Sequence, residues 1–197
     1  MTETNPTKNM EFTGRLFDYK EFRKYSDTFI ETGVAAGDGI KRALDAGFEM
    51  VTGIEASKMY YEMSRERFKN NGSVFMVFGK SENIIGMVTK NPKTMVIYLD
   101  AHVSGDTSFG YEEWKRDGEN GPTSQDNIIK AELAIILANY NKHVICIDDV
   151  NGMDDGHAKE YMEICLKANQ DYKFQFYDEQ LDKNGPLYWN KILVVIP

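Results

Sequence analysis

Five carboxylates stand where chemistry could be done, because Glu31, Glu55, Asp100, Asp148 and Asp149 each close an apolar run of strand character. Gathering that many acids beside buried segments is costly unless a ligand, a metal or hydrogen bonds compensate them. Directly after the first comes Glu31-Thr32-Gly33-Val34-Ala35-Ala36-Gly37-Asp38-Gly39, whose glycines allow a ligand to approach the backbone. The spacing is G-x-x-x-G-x-G, not the G-x-G-x-x-G of a dinucleotide site. Carboxylates on both sides of it oppose a pyrophosphate and suit a ligand with an amino group, a sulfonium and ribose hydroxyls. Glu55 at the next strand end can accept both ribose hydroxyl protons. The plainer assignment is that Glu55 caps a helix starting near Ser57 and that the glycines only make a turn. Gly79-Lys80-Ser81 imitates the end of a phosphate-binding loop, but the earlier glycine this needs is Val74, inside a strand, so that motif is excluded.

The elements that must position these residues alternate in βαβ fashion from about residue 28 onward. Strands are expected at Thr28 to Glu31, Met50 to Glu55, Val74 to Phe78, Thr94 to Leu99 and Val144 to Ile147. Helices are expected at Asp38 to Ala46, Lys58 to Phe68, Glu82 to Val88, Asp126 to Tyr140 and His157 to Ala168. Tyr172 to Tyr177 and Lys191 to Ile196 are joined by too short a connection for a crossover and should pair antiparallel. The expectation is a doubly wound, Rossmann-like α/β fold with a seven-stranded, mainly parallel sheet, ligands lying beyond the carboxyl ends of its strands. Residues 1–27 read as an extension bearing a short helix, Phe17 to Tyr25, and residues 28–197 as the ligand-binding domain.

F-I-E-T-G-V-A-A-G-D-G followed by G-I-E resembles the class I S-adenosylmethionine-dependent methyltransferases. The E-T-G-V opening looks like the macrocin O-methyltransferase group of sugar-modifying enzymes. The similarity covers most of residues 28–170. It implies S-adenosylmethionine as cofactor, with Glu31, Thr32, Gly33, Gly37 and Asp38 at its methionine part, Glu55 and Ala56 at the ribose, and Lys80, Ser81 and Asp100 nearby. Many members place an acidic acceptor near the adenine amino group. Lys80 stands there instead and can only donate, so Ser81 is the substitute.

If the fourth and fifth strands pair, Asp100, Asp148, Asp149 and His102 become neighbours. Three carboxylates suit magnesium, which favours oxygen ligands and eases deprotonation of a bound hydroxyl. Asp148 and Asp149 can share an ion only if the chain has turned there, since adjacent strand residues face opposite ways; Gly152 is the turn signal. The same resemblance nominates all three aspartates as ligands and makes His102 the candidate general base, with Asp100 beside it in the catalytic centre. The plainer assignment is that the aspartates cap helices or bind water. The long stretch from His102 to Asp126, with Ser104-Gly105-Asp106-Thr107, Tyr111 and Trp114, reads as a substrate lid. Tyr188 and Trp189 in the terminal hairpin could wall the same pocket.

With 31 acidic against 23 basic residues the net charge is -8, which repels nucleic acid and anionic lipid. The basic run Arg65 to Lys69 is a solvated helix face. Cys146 and Cys165 lack metal or redox spacing and read as buried small hydrophobes. Met1 to Asn9 has no signal-peptide character and no apolar run could span a bilayer. These features point to a cytoplasmic enzyme with a small-molecule acceptor and neither a nucleic-acid nor a membrane partner; a homodimer is compatible with them. A cofactor-binding module without activity, and another reaction of the same cofactor such as aminopropyl transfer or cofactor cleavage, are the rival readings.

Overall fold

The computed structural model describes residues 9–103, 106–118, 121–139, 142–150, 157–178 and 191–197. Its strands are β1 Met10–Leu16, β2 Thr28–Thr32, β3 Met50–Glu55, β4 Val74–Phe78, β5 Val96–Leu99, β6 Val144–Val150, β7 Lys173–Asp178 and β8 Lys191–Ile196. Its helices are α1 Asp38–Asp45, α2 Lys58–Arg67, α3 Ser81–Val88, α4 Tyr111–Asp117, α5 Gln125–Asn139 and α6 His157–Ala168. One sheet runs in the order β1-β7-β8-β6-β5-β2-β3-β4. All pairs are parallel except β8, which lies antiparallel between β6 and β7.

The central strands β2 and β5 are buried at every position, as strands covered by helices on both faces must be. On one face α3, α5 and α6 pack over Ile30, Ile97 and Ile145; on the other, α1 and the N-terminal segment pack over Phe29, Val96 and Tyr98. In α6, Ala158, Tyr161, Met162, Cys165 and Leu166 are buried, the i, i+3, i+4 stripe of an amphipathic helix. The corresponding stripe of α5 is Ile129, Glu132, Leu133, Ile136 and Leu137, so a glutamate takes a core position.

The sheet has eight strands where seven were expected. The extra strand, β1, lies parallel to β7, with Phe12 stacked on Phe176 at 4.8 Å. The helix expected at Phe17 to Tyr25 shrinks to a single 3₁₀ turn, Tyr19–Phe22, whose Tyr19 and Phe22 are buried; it sits on the sheet face while β1 takes the edge. The stretch after His102 contains α4 and is not wholly irregular. Gly152, Tyr188 and Trp189 lie outside the described residues, as do Ser104 and Gly105.

Candidate functional site

Strand order reverses at β2, which has β3 on one side and β5 on the other, and the crevice beyond such a point is where open α/β sheets bind ligands. The backbones close tightly there. A Cβ on Gly33, at φ +76°, would lie 2.3 Å from the Asp100 carbonyl oxygen, so only glycine lets the β2 and β5 ends meet. Asp100 N–H donates to both the carbonyl and the hydroxyl of Thr32.

A cavity of about 390 Å³ opens from this point across the ends of β2 to β5. Gly33, Glu55, Ala56, Lys80, Ser81 and Asp100 line it. Glu55 is buried, its Oε2 accepting from Ala35 N–H at 2.8 Å and its Oε1 from Ser57 N–H at 2.7 Å. The capping and ligand-holding assignments are therefore compatible: one lone pair on each oxygen ties the glycine loop to the start of α2, and a second remains. Thr32, Gly37, Asp38 and Glu31 stand outside the cavity wall. Gly37, in left-handed conformation, abuts Phe68, and Asp38 pairs with Arg67 at 2.7 Å on the surface. Glu31 is 3% exposed and wedged into the gap left by Gly39, where a Cβ would lie 1.7 Å from its Oε1. Burial, reinforced by Asp100, holds its carboxyl well above the usual range, against the pull of Arg42 and the Ile40 amide.

The segment after His102 roofs this cavity. Thr107 is fixed to α2, its hydroxyl 2.8 Å from Tyr60 Oη and its carbonyl accepting from Ser57. Phe109 lies under the Lys80 ammonium at 5.1 Å and offers a ring to the cavity. Trp114 faces a second cavity while Tyr111 stacks on Trp114 at 6.2 Å.

This second cavity, about 440 Å³, is lined by Trp114, Asp126, Asp148, Asp149, His157 and Tyr161, and meets the first at His102 and Val103. The imidazole of His102 stands between two acids, Nδ1 3.5 Å from Asp100 Oδ1 and Nε2 3.6 Å from Asp149 Oδ2. Its pKa is raised, chiefly by Asp100, against the effect of burial; Asp100 is itself pushed up, chiefly by burial. The Nδ1 contact is longer than a hydrogen bond of ordinary geometry and leaves that atom unpaired.

Among the described residues the ligand atoms of Asp100, His102 and Asp149 converge, a group that holds two of the expected three aspartates and not Asp148. The chain does turn, since Asp149 has φ +55° within an irregularity of β6. The turn, however, separates the two aspartates. Asp148 accepts from the buried Tyr98 hydroxyl at 2.7 Å and from Asp149 N–H at 2.8 Å, so it braces the turn while Asp149 faces His102. A second acidic group, Asp126, His157 and Glu160, also converges, but the Lys130 ammonium already joins Asp126 to Glu160.

Sequence reasoning missed Phe109, which could have been noticed as the lone large apolar residue between Asp106 and Tyr111. It also missed Glu132, a charged residue of α5 that is fully buried. No helix among the described residues is long and apolar enough to cross a membrane.

No family profile and no curated protein matches this sequence, but solved structures do. An O-methyltransferase from Bacillus cereus, crystallised with S-adenosylhomocysteine, superposes with a TM-score of 0.61 at 15% identity over 91% of this chain and 79% of its own. The chain has the Rossmann-like methyltransferase fold. The O-methyltransferase TomG of Streptomyces achromogenes, solved with S-adenosylmethionine, shares this methyltransferase fold at a TM-score of 0.52 and 14% identity, over 90% and 77% of the two chains. A spermidine synthase holding the transition-state analogue AdoDATO matches at 0.55 and 12% identity, over 86% and 54%. The methyltransferase fold thus hosts more than one reaction, and the chemistry must be argued from the site.

Proposed function

We propose that the protein is an S-adenosylmethionine-dependent O-methyltransferase acting on a small hydroxylated acceptor such as a sugar, in the manner of the macrocin group. The observation that carries this reading is the junction of two cavities at His102, a nucleoside-sized one over the β2–β5 ends and a polar one beside it. A two-substrate transfer needs such an arrangement, with donor and acceptor sites sharing one reactive wall.

Glu55 keeps a lone pair on each oxygen for the ribose hydroxyls, and Phe109 and Ile128 supply apolar surface for the base. The sulfonium end falls toward Gly33 and the Asp100 carboxyl group. The acceptor enters beside Trp114 and Tyr161, with carboxylates to receive its hydroxyl protons. His102 is placed to take the proton of the reacting hydroxyl while that oxygen bonds to the methyl carbon and the carbon–sulfur bond breaks. Asp100 and Asp149 fit a divalent cation, with His102 as a third donor or displaced by water, as magnesium's preference for oxygen would require. A magnesium ion held there would ease deprotonation of a coordinated acceptor hydroxyl.

Calorimetric titration with S-adenosylmethionine, with and without magnesium, followed by a screen of hydroxylated acceptors for release of S-adenosylhomocysteine, tests the proposal. Heat and turnover support it. Binding without release points to a module without activity, methylthioadenosine as product points to loss of the cofactor's aminocarboxypropyl group by cleavage or transfer, and neither heat nor thermal shift refutes it.

A further inference from the structure

The two edges of the sheet are built differently. β1, at one end, carries Glu11 and Arg15, a left-handed Gly14 at φ +61° and a register shift between Phe12 and Leu16. Charges and irregularities of this kind keep an edge from pairing with another strand. β4, at the other end, has neither: Val74–Phe78 reads Val-Phe-Met-Val-Phe, uncharged and in unbroken register with β3. Its Phe75 and Phe78 are 52% and 50% exposed.

The ladder to β3 fixes which peptide groups face outward. The Ser73 carbonyl accepts from Val51 N–H and Gly79 N–H donates to the Glu55 carbonyl, so the odd-numbered residues bond to β3 and the peptide groups of Val74, Met76 and Phe78 point away from the sheet. A two-fold axis at Met76 satisfies them. Met76 then exchanges both bonds with its own copy, and Phe78 N–H meets the Val74 carbonyl across the axis. The same register sets Phe75 beside Val77 on one face and Phe78 beside Val74 on the other, so each exposed ring covers a partly buried valine of the other copy.

Charge favours this contact although the chain as a whole carries -8. The strand itself is uncharged. α2, which packs on β3 and β4, exposes Glu62 and Arg65 less than a turn apart, and Arg65 lies over the Tyr61 ring that packs on Phe78. A two-fold axis runs the two α2 helices antiparallel, which turns the acid of one toward the base of the other. The exposed halves of the four rings amount to roughly 400 Å², about a third of what a small stable interface buries; α2 and the strand backbone adjoin them to supply the rest.

We propose that the protein forms a two-fold dimer in which β4 pairs antiparallel with β4 of a second copy, with Met76 on the axis, so that one continuous sheet runs through both. The inference is independent of the reaction proposed above.

Sedimentation velocity of the full chain from about 1 to 100 µM should show the dimer. Phe75→Lys should raise its dissociation constant by at least about tenfold, because symmetry removes two aromatic–valine pairs at once and places charge on the edge, while circular dichroism stays native. Glu11→Lys, on the opposite edge, should leave the constant within about threefold. Phe75→Cys/Val77→Cys checks the register: positions 75 and 77 of opposite chains form the close pair, about 4.5 Å between Cα atoms, so mild oxidation should trap a reducible species of doubled mass. A monomer throughout the range overturns the proposal, as does a dimer that Phe75→Lys does not weaken and the cysteine pair does not trap. A dimer that is weakened but never trapped overturns the Met76 register. Species that keep growing with concentration would mark an open, non-closing contact and overturn the two-fold.

Discussion

Replacing Glu132 with glutamine should stabilise the protein, increasingly so as pH rises from 5 to 8. Burial pushes this carboxyl from 4.5 up to about 8. Between those values the folded protein retains a proton that the unfolded chain has released, so the unfolded state binds fewer protons and stability falls with rising pH. At pH 7 the gap from 4.5 is about 2.5 units, which at about 1.36 kcal/mol per unit costs roughly 3 kcal/mol. The cost vanishes below pH 4.5, where both states are protonated, and levels off above about 8, where both are ionised. Glutamine has nearly the same shape and does not titrate, so the variant is free of this term. For a chain of this size the difference corresponds to a rise in melting temperature of roughly 6–12 °C at pH 7, shrinking to about 1–3 °C at pH 5. Thermal melts of both proteins followed by circular dichroism across that range measure it directly. Glu31, also held above its usual range, titrates in both proteins and cancels in the comparison. An equal gap at pH 5 and pH 7 would refute the reasoning, for it would mean that Glu132 does not titrate in that interval when folded.

Four further outcomes are expected. Gly33→Ala places a methyl group 2.3 Å from the Asp100 carbonyl at a left-handed φ and should cost about 2–4 kcal/mol in denaturant titrations. Glu55→Ala removes both the loop tie and the ribose acceptor, and calorimetry should show S-adenosylhomocysteine binding weakened by at least about tenfold. His102→Gln should lower turnover by about 10²- to 10⁴-fold while leaving cofactor affinity within about threefold, since the imidazole is assigned to the acceptor proton. Asp100→Asn should weaken magnesium binding, measured calorimetrically, more than Asp148→Asn does, because Asp148 is committed to Tyr98 and the turn.

The parts of the fold with strong periodicity were readable from the residues. His157–Ala168 and Lys191–Ile196 form where the apolar pattern placed them, because burial of a stripe or a run is what creates such patterns. β1 was missed for the complementary reason: Met10–Leu16 is an edge strand with no fully buried residue, so selection for apolar alternation is weak there. α4 also buries no residue and has no hydrophobic stripe to read. At the site, Glu55 and Asp100 could be placed because one ends and the other directly follows a largely buried strand whose end is fixed by the sheet. The different orientations of Asp148 and Asp149 could not, because they depend on an irregularity in β6 paired with β8, a strand far along the chain. Glu132 was hidden by its own chemistry, since a charge within a helix ordinarily marks the solvent side.

The pairing of β1 with β7 also constrains the order of assembly. Met10 lies beside Phe174 and Phe12 beside Phe176, so an early-synthesised strand finds its neighbour only after more than 150 intervening residues have left the ribosome. Until then its row of amide and carbonyl groups must stay solvated or be shielded by a chaperone. Deleting residues 1–16 would leave the β7 edge bare and Phe176 without its stacking ring, inviting end-to-end polymerisation through that margin.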